Sequence, residues 1–457
     1  MKEARVVRTF AWFHRGGGAK EFLWVAGLLL ASAPIAEALP SFARQTGQQC
    51  AACHNGYPEL TPYGRQFKLN GYTFSNSEAP TVPLAALIIS SFTHTSEPAE
   101  APVGPGTTRN DNGGLDAAAF FYAGRITSDV GAWVESIYDP RGHDFFLFNT
   151  DVRYVQTTQL FGKAATIGLS VNNNPEVTDP WNTAASFWYY PYESSHVVAP
   201  PVASTAIQGR YAQQVFGGTV YVSWDQFVYA AAGVYRGIDA KTLDSLGINT
   251  LGTSLIADPA PYWRVALEPA WGHNTLEFGT FGMDMAVDPL RLATAGTDRT
   301  VDVGVDSQYQ YLADHYSLSL IGSYIWEDSS LDASRTLRLS SNSRDDLRAA
   351  NVKVTYAYDQ TYFANLGPFR TYGSRDQALY GSAGAANGSP DTAGWIGELD
   401  YYPFNRGGPA SWRALGLKFG LQYTYYSRFD GAATNFDGLG RNASANNTLF
   451  LYTWLLF

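Results

Sequence analysis

From Leu84 to Phe457 apolar and polar residues alternate in short segments, and the alternation breaks at clusters of turn-forming residues. A period of two sustained over about ten residues marks a strand with two different faces. Gly124 to Tyr138 reads as two strands joined at Ser128-Asp129, and Thr219 to Arg236 as two joined at Asp225-Gln226. Tyr262 to Met285 repeats the device around Gly272-His273, and Leu347 to Arg370 around Asp359-Gln360. Long polar stretches separate these hairpins: Ser96 to Gly114, Asn172 to Thr205, Gly237 to Pro261 and Ser329 to Asp346. Short turns alternating with long loops are the pattern of an outer-membrane β-barrel, with the turns facing the periplasm and the loops outside. The segments predict an all-β fold, a sixteen-stranded outer-membrane β-barrel over residues 81–457, closed by Thr448 to Phe457. Trp133, Tyr138, Trp224, Tyr235 and Trp412 fall near predicted strand ends, where interfacial aromatic girdles are expected.

Composition agrees and removes other classes. With 15% aromatic residues, 16% charged residues and 44 glycines, the chain has too many aromatics for disorder and too much glycine for long helices. A net charge of −10 argues against a nucleic-acid partner, whose phosphates require a basic face. The N-terminus reads as a signal peptide over residues 1–38. Lys2, Arg5, Arg8, Arg15 and Lys20 form a basic region, Phe22 to Ala33 is apolar, and Ala36-Glu37-Ala38 offers small residues for cleavage after Ala38. The expected location is the outer membrane of a Gram-negative bacterium, with outer-membrane lipid as a partner.

The only two cysteines lie together in Cys50-Ala51-Ala52-Cys53-His54. This spacing is the c-type haem attachment pattern. The thiols add to the two haem vinyls, the two residues between them set the reach, and His54 is placed to ligate the iron. A zinc site would need further ligands that the neighbourhood lacks, and a thioredoxin-like dithiol would need a βαβ setting that is absent. The cofactor expected is one covalently attached haem c, with Cys50, Cys53 and His54 as its binding residues and His54 as the metal ligand.

Residues 39–80, the haem segment, contain one predicted helix, Thr61 to Leu69, with Thr61 as N-cap and Pro62 in its first turn. About forty residues are too few to enclose a porphyrin, so the barrel is expected to supply the missing walls. The segment holds no second His and no Met, which leaves the sixth iron position open. His94, Met283 and Met285 are candidates for it, and His143, His196, His273 and His315 are further histidines of the barrel region.

These residues also carry a resemblance. Ala43-Arg44-Gln45-Thr46-Gly47, the haem motif, Pro58-Glu59-Leu60, Gly64-Arg65-Gln66-Phe67-Lys68 and Gly71-Tyr72 resemble the haem segment of the fused monohaem cytochrome–porins, outer-membrane proteins best known as iron(II) oxidases. Asn172-Asn173-Asn174-Pro175, Asp179-Pro180-Trp181-Asn182 and Gln213-Gln214 are similar to features of that family's barrel, with no role assigned to them. The resemblance implies a single haem c held at or inside one end of the barrel. It further implies electron transfer across the outer membrane, from extracellular iron(II) to a periplasmic electron-carrier protein, as an iron(II):cytochrome c oxidoreductase. The alternative is an electron conduit for a different donor or for an extracellular acceptor. On the first reading, Glu97, Glu100, Asp111, Glu327, Asp328 and Asp332 are the acidic loop groups available to attract a cation.

Overall fold

The computed structural model describes residues 40–76, 81–102, 107–140, 144–183, 201–407 and 415–457. The expected signal peptide, His143, His196 and Trp412 lie outside the described residues. Sixteen long strands form one closed antiparallel sheet. They are β1 Leu84–Thr95, β2 Asn112–Arg125, β3 Val130–Asp139, β4 Asp144–Leu160, β5 Lys163–Asn172, β6 Val215–Trp224, β7 Val228–Gly237, β8 Ala260–Leu267, β9 Asn274–Asp288, β10 Asp298–Leu312, β11 Tyr316–Ser330, β12 Arg344–Tyr358, β13 Tyr362–Gly373, β14 Thr392–Tyr401, β15 Gly416–Arg428 and β16 Thr448–Leu456. Each strand pairs with its neighbours in sequence, and β16 closes on β1 from Leu87↔Leu456 to Thr95↔Thr448. Among the described residues no helix is long and apolar enough to cross a membrane.

The wall is inside-out relative to a water-soluble protein. On β11, Ser317 and Ser319 face inward and are fully buried, while Leu318 and Leu320 face outward at 40% and 44% exposure. On β15, Phe419, Leu421, Tyr423 and Tyr425 point out, whereas Lys418, Gln422 and Thr424 point in. A closed sheet leaves no unpaired edge, and apolar rows facing outward suit only lipid. The protein is therefore an outer-membrane barrel. The predicted hairpins are present: Asp225 and Gln226 have φ of 54° and 52°, and Asp359 and Gln360 have φ of 49° and 52°, the left-handed pair that matches strand twist in a tight turn.

The aromatic girdle differs in part from expectation. Near the short turns it is built by outward Tyr362, Tyr401 and Phe419, whose rings stack at 5.3 and 6.2 Å. Trp133 and Tyr235 instead face the lumen, because each falls on the inward phase of its strand.

The lumen is occupied. Three short helices, α1 Pro40–Thr46, α2 Cys50–Cys53 and α3 Pro62–Leu69, lie inside its short-turn end. Asn55 meets Ser317 and Gln360 there, and the Ala51 amide donates to the Asn405 carbonyl. Thr61 caps α3 by accepting from the Gly64 amide, as its sequence position predicts. Residues 173–183, expected as part of an outer loop, also turn inward and are buried. Charges on inward strand positions explain this, since each must find a partner within the barrel. The Arg264 guanidinium reaches Asp179 at 3.3 Å and Asp306 at 2.5 Å, and Arg153 donates to the Val177 and Lys68 carbonyls. Arg65 of α3 donates to Glu268 and Gln310, and Lys68 to the Asp179 carbonyl and Asn182.

Candidate functional site

The Cys50–His54 motif begins as a single helical turn. Its last turn closes with the His54 amide donating to the Cys50 carbonyl at 2.9 Å, and the chain then turns back so that His54 bridges Leu60. Helix α3 packs on this turn so closely that a Cβ at Gly64 would lie 2.2 Å from the Cys53 carbonyl oxygen, which accounts for glycine at that position. The Thr61 hydroxyl donates to the Ala52 carbonyl and ties the two helices further. Cys50 and Cys53 are both buried and are not joined in a disulfide. Burial, with Cys50 alongside, pushes the Cys53 thiol up to about 12.

His54 is half-buried, and its ring sits edge-on to Tyr57 at 4.9 Å. Burial lowers its pKa to about 4 against an opposing interaction with the Glu59 backbone, so the imidazole is neutral at pH 7. Its Nδ1 is buried without a hydrogen-bond partner. A neutral imidazole with an unpartnered nitrogen is the state that binds iron.

Cys53 and His54 open onto a cavity of about 730 Å³, within the roughly 300–1,000 Å³ of cofactor pockets. The segment contributes Phe42, Leu60 and Phe67 to its lining. The barrel contributes Leu87 and Ile89 of β1, Ala119 and Phe121 of β2, Trp133 and Ile137 of β3, and Trp454 and Leu456 of β16. Segment and barrel therefore share the enclosure, as the segment's length requires. An apolar wall on the β1–β3 side, facing the Cys53 thiol and a neutral imidazole, fits a haem c.

The candidates for the sixth position lie elsewhere. His94 points outward at the long-loop end of β1 and bonds to Asp111 at 2.6 Å. Met283 and Met285 are buried on β9 among Ile207, Tyr211 and Val215 and do not line the cavity. His315 is exposed at a short turn beside Asp359, and His273 is exposed at another. Among the described residues, His54 is the one His or Met on the cavity wall. Of the acidic loop candidates, Glu97, Glu100, Asp111, Asp328 and Asp332 are exposed. Glu327 is not a loop group: it faces inward and accepts from the Ala206 amide.

The asparagine run is internal too. Asn174 and Gln213 line the far side of the cavity and reach Asn149 at 3.3 and 3.5 Å, while Asn173 holds the Thr150 amide and the Phe148 carbonyl. The run was detectable as a cluster, but its burial against Asn149, Thr150 and Phe148 of β4, beside Gln213, depends on tertiary contacts that no local rule announces.

No family model matches the chain, and no curated protein matches it. Solved structures similar to it include OmpT, an outer membrane protein of Vibrio cholerae, at 7% identity and TM-score 0.42, covering 84% of this chain and 100% of that one. The outer membrane channel DcaP of Acinetobacter baumannii is 10% identical with a TM-score of 0.44, covering 82% of this chain and 96% of that one. An anion-selective porin from Comamonas acidovorans is 11% identical with a TM-score of 0.43, covering 82% and 98%.

Proposed function

We propose that the chain is a monohaem c-type cytochrome fused to its barrel, carrying electrons across the outer membrane from extracellular iron(II) to a periplasmic electron carrier. The observation that carries this reading is the cavity: the sole CxxCH motif opens, through Cys53 and His54, onto an enclosure with an apolar face that the barrel wall supplies. A haem c bound there supplies a one-electron iron couple. Cys50 and Cys53 are the attachment points, and His54 is the iron ligand. Phe42, Phe67, Phe121 and Trp133 exclude water from the site, which favours a higher potential than an exposed haem has. Gln48 and Gln49 are exposed and Ala51 and Ala52 half-exposed beside the motif, which brings the attachment edge within reach of a soluble carrier. Passage of solutes is disfavoured because the segment and the infolded residues 173–183 occupy the lumen.

The test uses the full-length protein. A denaturing gel stained for haem is expected to show covalent haem, absent from the Cys50→Ala, Cys53→Ala double variant while the barrel still assembles. Iron(II) at controlled pH is then expected to reduce the haem, followed by absorbance. Haem that only other donors reduce would replace iron oxidation by the alternative conduit, and full staining of the double variant would remove the reading.

A further inference from the structure

The cavity is apolar on its β1–β3 side, but the opposite wall carries charge. Glu398 and Asp400 are successive inward positions of β14, both more than nine-tenths buried. They share one cation: Lys418 Nζ of β15 lies 3.2 Å from Glu398 Oε1 and 3.1 Å from Asp400 Oδ1. They also share one hydroxyl, since Tyr452 Oη of β16 is 3.0 Å from Glu398 Oε1 and 3.2 Å from Asp400 Oδ1. Gln422 donates to the other oxygen of Glu398, and Asn365 to the other oxygen of Asp400. Lys418 is ringed by Tyr402, Tyr452 and Trp454 at 5.0 to 5.5 Å. Further along the wall, Lys353 of β12 stands 3.8 Å from Glu59 of the segment, a pair that balances itself. Glu135 of β3, near Asn149, is the remaining carboxylate on the lining, and Tyr57 is the remaining titratable ring between His54 and this wall. Two carboxylates with one ammonium between them carry one negative charge in excess. Buried like charges this close cannot both stay ionised without cost, and the cost rises when further negative charge enters the same enclosure.

We propose that the Glu398–Asp400 pair is the proton-accepting site of the redox centre, so that each electron entering the cavity is accompanied by one proton. The proposal rests on the haem reading above. The external donor loses one electron, ferric iron gains it, and one carboxylate of the pair takes a proton from water and becomes a carboxylic acid. The net charge of the cavity is then unchanged. Within this wall the pair is where negative charge exceeds positive charge, one ammonium against two carboxylates, which makes its carboxylates the groups that take up the proton.

The experiment is a spectroelectrochemical titration of the full-length, haem-loaded protein across pH 5 to 8, with a redox-induced infrared difference spectrum at each end. The midpoint potential is expected to fall as pH rises, and a carboxylic-acid C=O band that shifts in heavy water is expected on reduction. Asp400→Asn and Glu398→Gln are each expected to raise the potential and cut its pH slope to less than half, and the double variant to lose the band, with the haem absorption maxima unchanged. A pH slope that survives in the double variant, or disappears in Glu135→Gln instead, would overturn the proposal. Absence of the band in the unmodified protein would overturn it without any variant. A protein with no covalent haem would instead remove the cytochrome reading, and this proposal with it.

Discussion

The two sides of the lumen are built on opposite principles. Between β4 and β10 the barrel is filled: α3 and residues 173–183 press against inward arginines, and Arg65, Arg153 and Arg264 are fully buried with carboxylates or carbonyls around them. Trp181 completes this side, its ring 5.2 Å from the Arg264 guanidinium and its indole N–H donating to Glu268. Between β16 and β3 the wall carries Leu87, Ile89, Phe121, Trp133 and Leu456 and stays hollow. A barrel for solute diffusion lines its lumen with polar groups and keeps it open. Here much of the polarity fixes an internal plug, and the open volume keeps an apolar wall on its β1–β3 side, a division suited to seating one flat group rather than passing many small ones.

The comparison can be broken most severely on the filled side. Arg264→Met leaves Asp179, Glu277 and Asp306 buried together without their cation, and removal of one partner from such a cluster costs about 3–5 kcal/mol. A large loss of stability is expected in urea titration followed by heat-modifiable gel mobility; a loss below about 1 kcal/mol, the scale of exposed pairs, would mean that the filled side is not held by its charges.

On the hollow side the effect is selective. Ala119 is buried on β2 against the cavity, and Ala119→Trp puts an indole where the open volume lies. Covalent haem per barrel is expected to fall at least tenfold on a haem-stained gel, with barrel stability changed by no more than the roughly 1–3 kcal/mol of an overpacked site. Undiminished haem in this variant would show that the cavity is not where the group sits.

The smallest effect concerns the outer loops. Asp376 is buried, which opposes its charge, yet it accepts from the Ser340 hydroxyl and the amides of Ser341, Leu379 and Asn342, and these hold its carboxyl below the ordinary aspartate range. A folded value below the unfolded one stabilises in full above the unfolded value, about 3.9, and is lost only as pH falls through the lowered one. Protease resistance of residues 374–391 is expected to persist to about pH 4, and Asp376→Asn is expected to lower it already at neutral pH. Identical cleavage of the two proteins would remove Asp376 as the latch.

Much of the wall was legible because lipid imposes a period of two on every strand, and Asp225-Gln226 and Asp359-Gln360 are turn pairs that no strand interior would hold. Thr61-Pro62 marked α3 by the same kind of local rule. The phase of a strand is not local. Trp133 and Tyr235 had the residue type of a girdle and the position of a lumen lining, and only pairing with neighbours decides which face a residue takes. Glu327 and the asparagine run failed for a related reason, since their partners Arg210, Asn149 and Gln213 come from other parts of the chain.

The seam between β1 and β16 has a consequence for the order of events in biogenesis. It joins residues at the two ends of the barrel sequence, the contact with the greatest loop-closure cost and therefore a late one. Trp454 and Leu456, on one edge of that seam, and Leu87 and Ile89, on the other, are the same residues that enclose the space beside His54. Until that seam is closed the chamber lacks part of its wall, so closure of the barrel completes the chamber around the segment. On the proposed function, attachment at Cys50 and Cys53 is expected before that seam is sealed, while the segment is still accessible.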